Sequence, residues 1–132
     1  MELEAKDCEL IEQAKETRRR LYRAGRYEVA AALRTRAGEI FTGIHIEASV
    51  GFADVCGEVA AICHALAHGH DDLETMVAVG GDGPERMYLM APCGRCREVI
   101  SDMNPDAWVI VGTLENPYKV RIGELLPLKD RQ

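Results

Sequence analysis

Cys56, Glu58, Cys93 and Cys96 are the residues of this 132-residue chain whose types and spacing could do chemistry. They stand in Cys56-Gly57-Glu58 and in Pro92-Cys93-Gly94-Arg95-Cys96, supplying three thiols and one unpaired carboxylate. A structural zinc is usually closed by four protein ligands, whereas a catalytic zinc keeps three and leaves the fourth position for water. Here the count stops at three. Glu58, two residues after the first cysteine, is close enough to touch that water without itself binding metal. The chemistry implied is hydrolytic deamination. Glu58 takes a proton from water, the water oxygen attacks an amidine-like carbon, and Glu58 returns protons to the ring nitrogen and the leaving ammonia. General acid–base catalysis of this kind contributes on the order of 10²- to 10⁴-fold in rate.

A lone Cys-x-x-Cys is weak evidence, but Cys-x-Glu at one helix start and Pro-Cys-x-x-Cys at another is a specific combination. The competing reading is a non-catalytic, zinc-stabilised binding module, which requires a fourth protein ligand. His45 and His64 are the only plausible candidates by position. His64, with His68 and His70, reads as an ordinary partly exposed histidine. Of the five cysteines, Cys8 and Cys63 read as small buried apolar residues. An odd cysteine total with Cys-x-x-Cys, in a reducing compartment, points to metal binding rather than a structural disulfide.

The elements that must position these groups follow from periodicity. Leu3, Cys8, Leu10, Ile11, Ala14 and Leu21 recur at helical spacing, predicting an amphipathic helix from Leu3 to about Tyr22. Tyr27–Thr35 and Glu39–Ile46 read as strands joined by Arg36-Ala37-Gly38, hence a hairpin. Glu47–Val55 reads as a loop, and Cys56–Ala67 as an alanine-rich helix opened by the first cysteine. Thr75–Val79 is a short strand, Gly80 to Pro84 a breaker cluster, and Met87–Met90 a further extended stretch. Cys93 to about Met103 reads as a helix, Ala107–Gly112 as a buried strand, Asn116-Pro117 as a turn, and Gly123–Leu126 as a terminal helix, with an additional strand near Lys119–Ile122. Helix–strand alternation in the second half implies an α/β sheet covered by helices. With both ligand motifs at helix starts, the helix dipoles favour thiolate over thiol.

The size and the 47% hydrophobic content suit a single domain spanning residues 1–132. A formal net charge of −6 argues against nucleic acid as partner, since binders of phosphate backbones carry basic patches. The charged first residues lack the apolar core of a signal peptide, and no stretch is long enough to span a bilayer. The expectation is a cytoplasmic protein with a small-molecule substrate and no nucleic-acid or membrane partner.

Beyond the cysteine motifs, the chain resembles the small zinc-dependent cytidine deaminases and their relative blasticidin S deaminase, from about Tyr22 to Pro127. The resemblance is carried by Tyr27-Glu28-Val29-Ala30-Ala31-Ala32, Phe41-Thr42-Gly43-Ile44-His45-Ile46-Glu47, Cys96-Arg97-Glu98-Val99-Ile100 and Gly123-Glu124-Leu125-Leu126-Pro127. It implies a three-layer α-β-α sandwich on a mixed, about five-stranded sheet, Zn²⁺ on Cys56, Cys93 and Cys96, and Glu58 as catalytic proton shuttle. It also implies a homo-oligomer, tetramer or dimer, and a free aminopyrimidine nucleoside such as cytidine or deoxycytidine as substrate; another small aminated heterocycle, blasticidin S-like or a free base, is the alternative. Substrate binding falls to Glu47, His45, Tyr27, Gly57 and Ala91. Glu47 occupies the glutamate position of the family's ribose-binding Asn-x-Glu, but His45 replaces the asparagine, so either the pair reads a sugar or it only ties down the loop. Val59 stands where many members have arginine, and the Pro-Gly-Ala-Phe continuation of many cytidine deaminases is missing after Pro127. The loop Glu85–Met90 either reshapes the pocket or extends a strand, and Arg95 and Arg97 face either the thiolates or solvent.

Overall fold

In a computed structural model, residues 1–130 are described; Arg131 and Gln132 of the expected domain lie outside them. The first helix, α1 (Ala5–Leu21), opens with the Glu4 N–H donating to the Asp7 carboxylate at 2.9 Å. It ends in Arg18-Arg19-Arg20, cations that suit the negative end of the helix dipole. Its buried stripe, Leu10, Ile11 and Ala14, lies on one face of a mixed sheet.

The sheet is built on β1 (Ala30–Thr35), every residue of which is buried. It pairs antiparallel with β2 (Ile40–Ile44) and with β3 (Leu73–Asp82). β3 runs parallel to β5 (Trp108–Gly112), and β5 pairs antiparallel with the edge strand β6 (Pro117–Arg121), giving the order β2-β1-β3-β5-β6. β4 (Arg86–Leu89) pairs with the far end of β3. Val79 pairs with Ala30 on one side and Leu89 on the other, so β4 lies on the same side of β3 as β5.

Strand alternation sends Ala31, Leu33, Met76, Ala78, Val109 and Val111 into one core cluster and Ala32, Val77, Val79 and Ile110 into the other. The first is covered by α2 (Gly57–Ala67) and α3 (Gly94–Met103), with the short α4 (Ile122–Leu125) beside α3; the second is covered by α1. The architecture is the expected α-β-α sandwich, with six strands in the sheet.

Several expectations need correction. The breaker cluster at Gly80 to Asp82 continues β3, because ladder pairing with β4 holds it extended. A Cβ at Gly81 would overlap the Arg86 carbonyl, so the glycine is there for close strand approach rather than for a turn. Pro117 opens β6 rather than completing a turn; it stands first on an edge strand, where a missing N–H costs no ladder bond. Cys8 and Cys63 are exposed, not buried.

A buried ionic network ties α1 to the sheet. Asp7 accepts from Arg34 on β1 at 2.8 Å and from Lys119 on β6 at 2.9 Å, and the Arg34 Nε donates to Glu74 at 2.8 Å. Burial alone pushes the Asp7 carboxyl up. The Glu4 N–H and the Lys119 and Arg34 cations outweigh it and hold Asp7 below the usual carboxylate range.

Candidate active site

Cys56 is the N-cap of α2 and Cys93 the N-cap of α3, while Cys96 lies in the first turn of α3. Each helix starts at the end of a strand or loop that is itself fixed. The backbone of Ile46 pairs with Val55 immediately before Cys56, and the Met90 N–H donates to the Ala78 carbonyl on β3 shortly before Cys93. α2 approaches the sheet closely because Gly43 on β2 has no side chain: a Cβ there would overlap the backbone of Gly57 and Ala61. The two helix starts converge on one point.

At that point Cys56 Sγ lies 3.5 Å from Cys93 Sγ, Cys93 Sγ lies 3.7 Å from Cys96 Sγ, and all three sulfurs fall within 4.8 Å of one another. A tetrahedral zinc with Zn–S bonds of about 2.3 Å requires sulfurs about 3.8 Å apart. The spacing therefore fits a zinc ion without rearrangement. Among the described residues no other group of three His, Cys, Asp or Glu donors converges this closely, so no fourth protein ligand closes the site.

Glu58 follows Cys56 into the first turn of α2 and is 5% exposed. Burial pushes its carboxyl above the usual range, against its own backbone N–H and the Cys96 thiol, which favour the ionised form. A carboxyl shifted in this direction is better suited to accept and return a proton near neutral pH. Burial also pushes up the thiols of Cys56 and Cys96. Only Cys93 is lowered: burial raises it too, but the Cys96 N–H, the neighbouring thiols and the Arg95 N–H outweigh this. Without a cation, the local hydrogen bonds favour a thiolate at Cys93 alone. A divalent cation held by the three sulfurs would favour thiolate at the other two.

Cys56, Cys93 and Glu58 line a cavity of roughly 120 Å³ together with Val29, His45, Gly57, Met90 and Ala91. The His45 Nδ1 is buried there and has no hydrogen-bond partner. Of the residues expected to bind substrate, His45, Gly57 and Ala91 line this cavity, while Glu47 lines a separate depression with Gly25, Arg26 and Asp54. Tyr27 lines neither; its ring lies 5.7 Å from the Arg26 guanidinium.

Residues 4–112 match the family model described as the cytidine and deoxycytidylate deaminase zinc-binding region. The chain belongs to this deaminase family. It is 42% identical to the blasticidin-S deaminase of Bacillus cereus over 127 residues, covering 93% of this chain and 91% of the relative. It is 32% identical to the cytidine deaminase of Halalkalibacterium halodurans over 122 residues, 89% of each. Among solved structures, the cytidine deaminase of Burkholderia pseudomallei superposes with a TM-score of 0.77 at 30% identity, covering 92% of this chain and 96% of the other. This deaminase is a zinc-dependent hydrolytic enzyme, and its cluster of Cys56, Cys93 and Cys96 could hold the metal ion.

Val29 was not legible beforehand as a cavity residue, whereas the loop Glu85–Met90 does both of the things expected of it, extending the sheet as β4 and lining the cavity with Met90. Val29 lines the cavity although it reads as a plain strand residue; only its place just before the buried β1 hints at this. Met90 reaches the cavity by lying across Gly80, whose missing side chain leaves room for its sulfur. The arginines of α3 do not face the thiols. Arg95 donates to the Asp54 carbonyl at 2.7 Å, and Arg97 to the carbonyls of Pro92 at 2.7 Å and Leu125 at 3.0 Å. Both brace the loops that hold the ligands.

Proposed function

We propose that this enzyme hydrolyses the exocyclic amine of a free aminopyrimidine nucleoside, giving the oxo compound and ammonia. One observation carries the reading: a buried carboxyl, Glu58, stands beside three convergent thiols at the end of a small cavity. Zinc held by Cys56, Cys93 and Cys96 supplies Lewis acidity that makes water a nucleophile near neutral pH. Glu58 removes a proton from that water and delivers it to the ring nitrogen next to the attacked carbon. It then carries the second water proton to the amine, which leaves as ammonia as the carbon–oxygen double bond forms. Atoms balance: water adds and ammonia departs.

Val29, Met90, Gly57 and Ala91 enclose the flat ring, and His45 holds a polar group beyond it through the otherwise unpartnered Nδ1. Glu47, in that separate depression, receives the part of the substrate that projects outward. Tyr27 acts behind this wall, from the turn where its N–H donates to the Arg23 carbonyl. A blasticidin S-like substrate is the second reading. It is favoured by the 42% identity to a blasticidin-S deaminase and by histidine standing at residue 45.

We also infer a single domain acting in the cytoplasm as a homo-oligomer. Cysteine ligands that must stay reduced support the compartment, and no described helix is long and apolar enough to cross a membrane. The exposed apolar residues Ile46, Val50 and Phe52, beside the site, support association with a second copy.

The test is ammonia release from cytidine, deoxycytidine, cytosine and blasticidin S, comparing the zinc-loaded enzyme with Glu58→Ala. Turnover of a nucleoside that vanishes in the variant, with zinc retained, is the expected result. Turnover of blasticidin S alone selects the second reading, and turnover that survives in Glu58→Ala overturns the role of the carboxyl.

A further inference from the structure

Three of the four histidines gather at the end of α2 opposite the cysteines. The rings of His64, His68 and His70 surround Phe41, with centroids 5.3, 5.4 and 5.3 Å from the phenyl centre. His64 and His68 stand four residues apart on the helix, so they share a face, and their rings meet edge-on at 4.9 Å. The His64 Nδ1 lies 2.9 Å from the Thr42 carbonyl, and the His68 Nδ1 lies 3.0 Å from the His64 carbonyl. A carbonyl can only accept, so each Nδ1 carries the proton and each Nε2 keeps its lone pair. The His70 Nδ1 lies 3.6 Å from the Asp72 carboxylate, beyond hydrogen-bond distance.

We propose that His64 and His68 bind a late first-row divalent transition-metal ion through Nε2. Imidazole nitrogen selects Zn²⁺, Ni²⁺ and Cu²⁺ over Mg²⁺ and Ca²⁺. Metal-binding histidines almost always donate the other ring N–H to a carbonyl or carboxylate, which fixes the ring and raises its basicity. That arrangement is already in place at His64 and His68. The electrostatics agree, since the site lies on the last turn of α2, the negative end of its dipole, in a chain of net charge −6. His64 and His68 are exposed, so an ion reaches them from solvent and keeps waters in its remaining positions. The site is separate from the cysteine cluster: eight residues of helical rise put His64 about 12 Å beyond Cys56. Bound there, the ion clamps the end of α2 to β2 through His64 and Thr42.

The experiment titrates the zinc-loaded enzyme with Ni²⁺ in a calorimeter and follows thermal unfolding with and without Ni²⁺. One equivalent of Ni²⁺ beyond the resident zinc is expected, with a rise in Tm. His64→Gln and His68→Gln should each weaken Ni²⁺ binding at least tenfold and remove the Tm rise, while zinc content and ammonia release stay at the wild-type level. Should a variant fail to fold, the ring ¹⁵N spectrum of the wild-type enzyme decides. With one added equivalent of Zn²⁺, the Nε2 resonances of His64 and His68 should move and that of His45 should not. No uptake beyond the resident zinc, uptake that survives the double substitution, or unmoved Nε2 resonances would each overturn the site.

Discussion

Cys56 and Cys93 bring their sulfurs to 3.5 Å although 37 residues separate them in the chain. The contact exists because each cysteine caps a helix, and both helices lie on the same face of the sheet. The zinc site is therefore a property of how α2 and α3 dock, and it is sensitive to anything that shifts either helix.

Cys96 is the ligand most integrated with the core, at 1% exposure. Cys96→Ser exchanges a soft sulfur donor for a poor one in an apolar setting, where the hydroxyl is left without an equivalent partner. The expected outcome is loss of bound zinc and of ammonia release together, read by elemental analysis and a coupled ammonia assay. A variant that keeps stoichiometric zinc would remove Cys96 from the ligand set.

Gly43→Ala tests the docking directly. The new methyl would overlap the backbone of Gly57 and Ala61, so α2 must move away from β2. Overpacking of this kind costs about 1–3 kcal/mol, and the displacement carries Cys56 and Glu58 with it. Thermal unfolding should show the lost stability and kcat should fall. An unchanged kcat would show that α2 adjusts without moving its first turn.

His45→Ala removes the unpartnered Nδ1 from the cavity wall while leaving the cysteines untouched. One lost hydrogen bond to substrate lowers kcat/KM roughly tenfold, mostly through KM, with zinc content unchanged. His45→Asn restores an amide donor and should favour cytidine over blasticidin S. Equal kcat/KM for wild type and His45→Ala on every active substrate would show that His45 does not contact substrate.

The Asp7 network sets a pH dependence of stability. Asp7 is held below its unfolded value, so its contribution is complete above about pH 4, the unfolded carboxylate value, and is lost as pH falls through the lower folded value. Asp7→Asn leaves Lys119 buried without its anion and Arg34 with Glu74 alone, and should cost about 3–5 kcal/mol. It should also flatten the acid limb of a plot of Tm against pH. A variant whose acid limb keeps the wild-type slope would assign that slope to other carboxylates.

The sequence by itself determined the chemistry. Three cysteines and a glutamate at fixed short spacing point to a metal-dependent hydrolytic deaminase, because local helix geometry keeps Cys93 beside Cys96 and Glu58 beside Cys56 wherever the helices go. The helices and the central strands were legible for the same reason, since their periodicity is local. What only the tertiary structure decided is long-range. Gly80 to Asp82 looks like a turn in isolation but extends β3, because β4 supplies ladder partners 4–8 residues away. Cys63 looks apolar but faces solvent, because α2 is rotated to put Ala61, Ile62 and Ala65 on the sheet. The same rotation exposes His64 and His68 and sets them over Phe41 of β2. The cavity wall belongs to Val29 and Met90 because strand ends and a missing Cβ at Gly80 place them there. Spacing along the chain records bonds and helical turns, whereas the wall of a pocket is made by packing between segments distant in sequence.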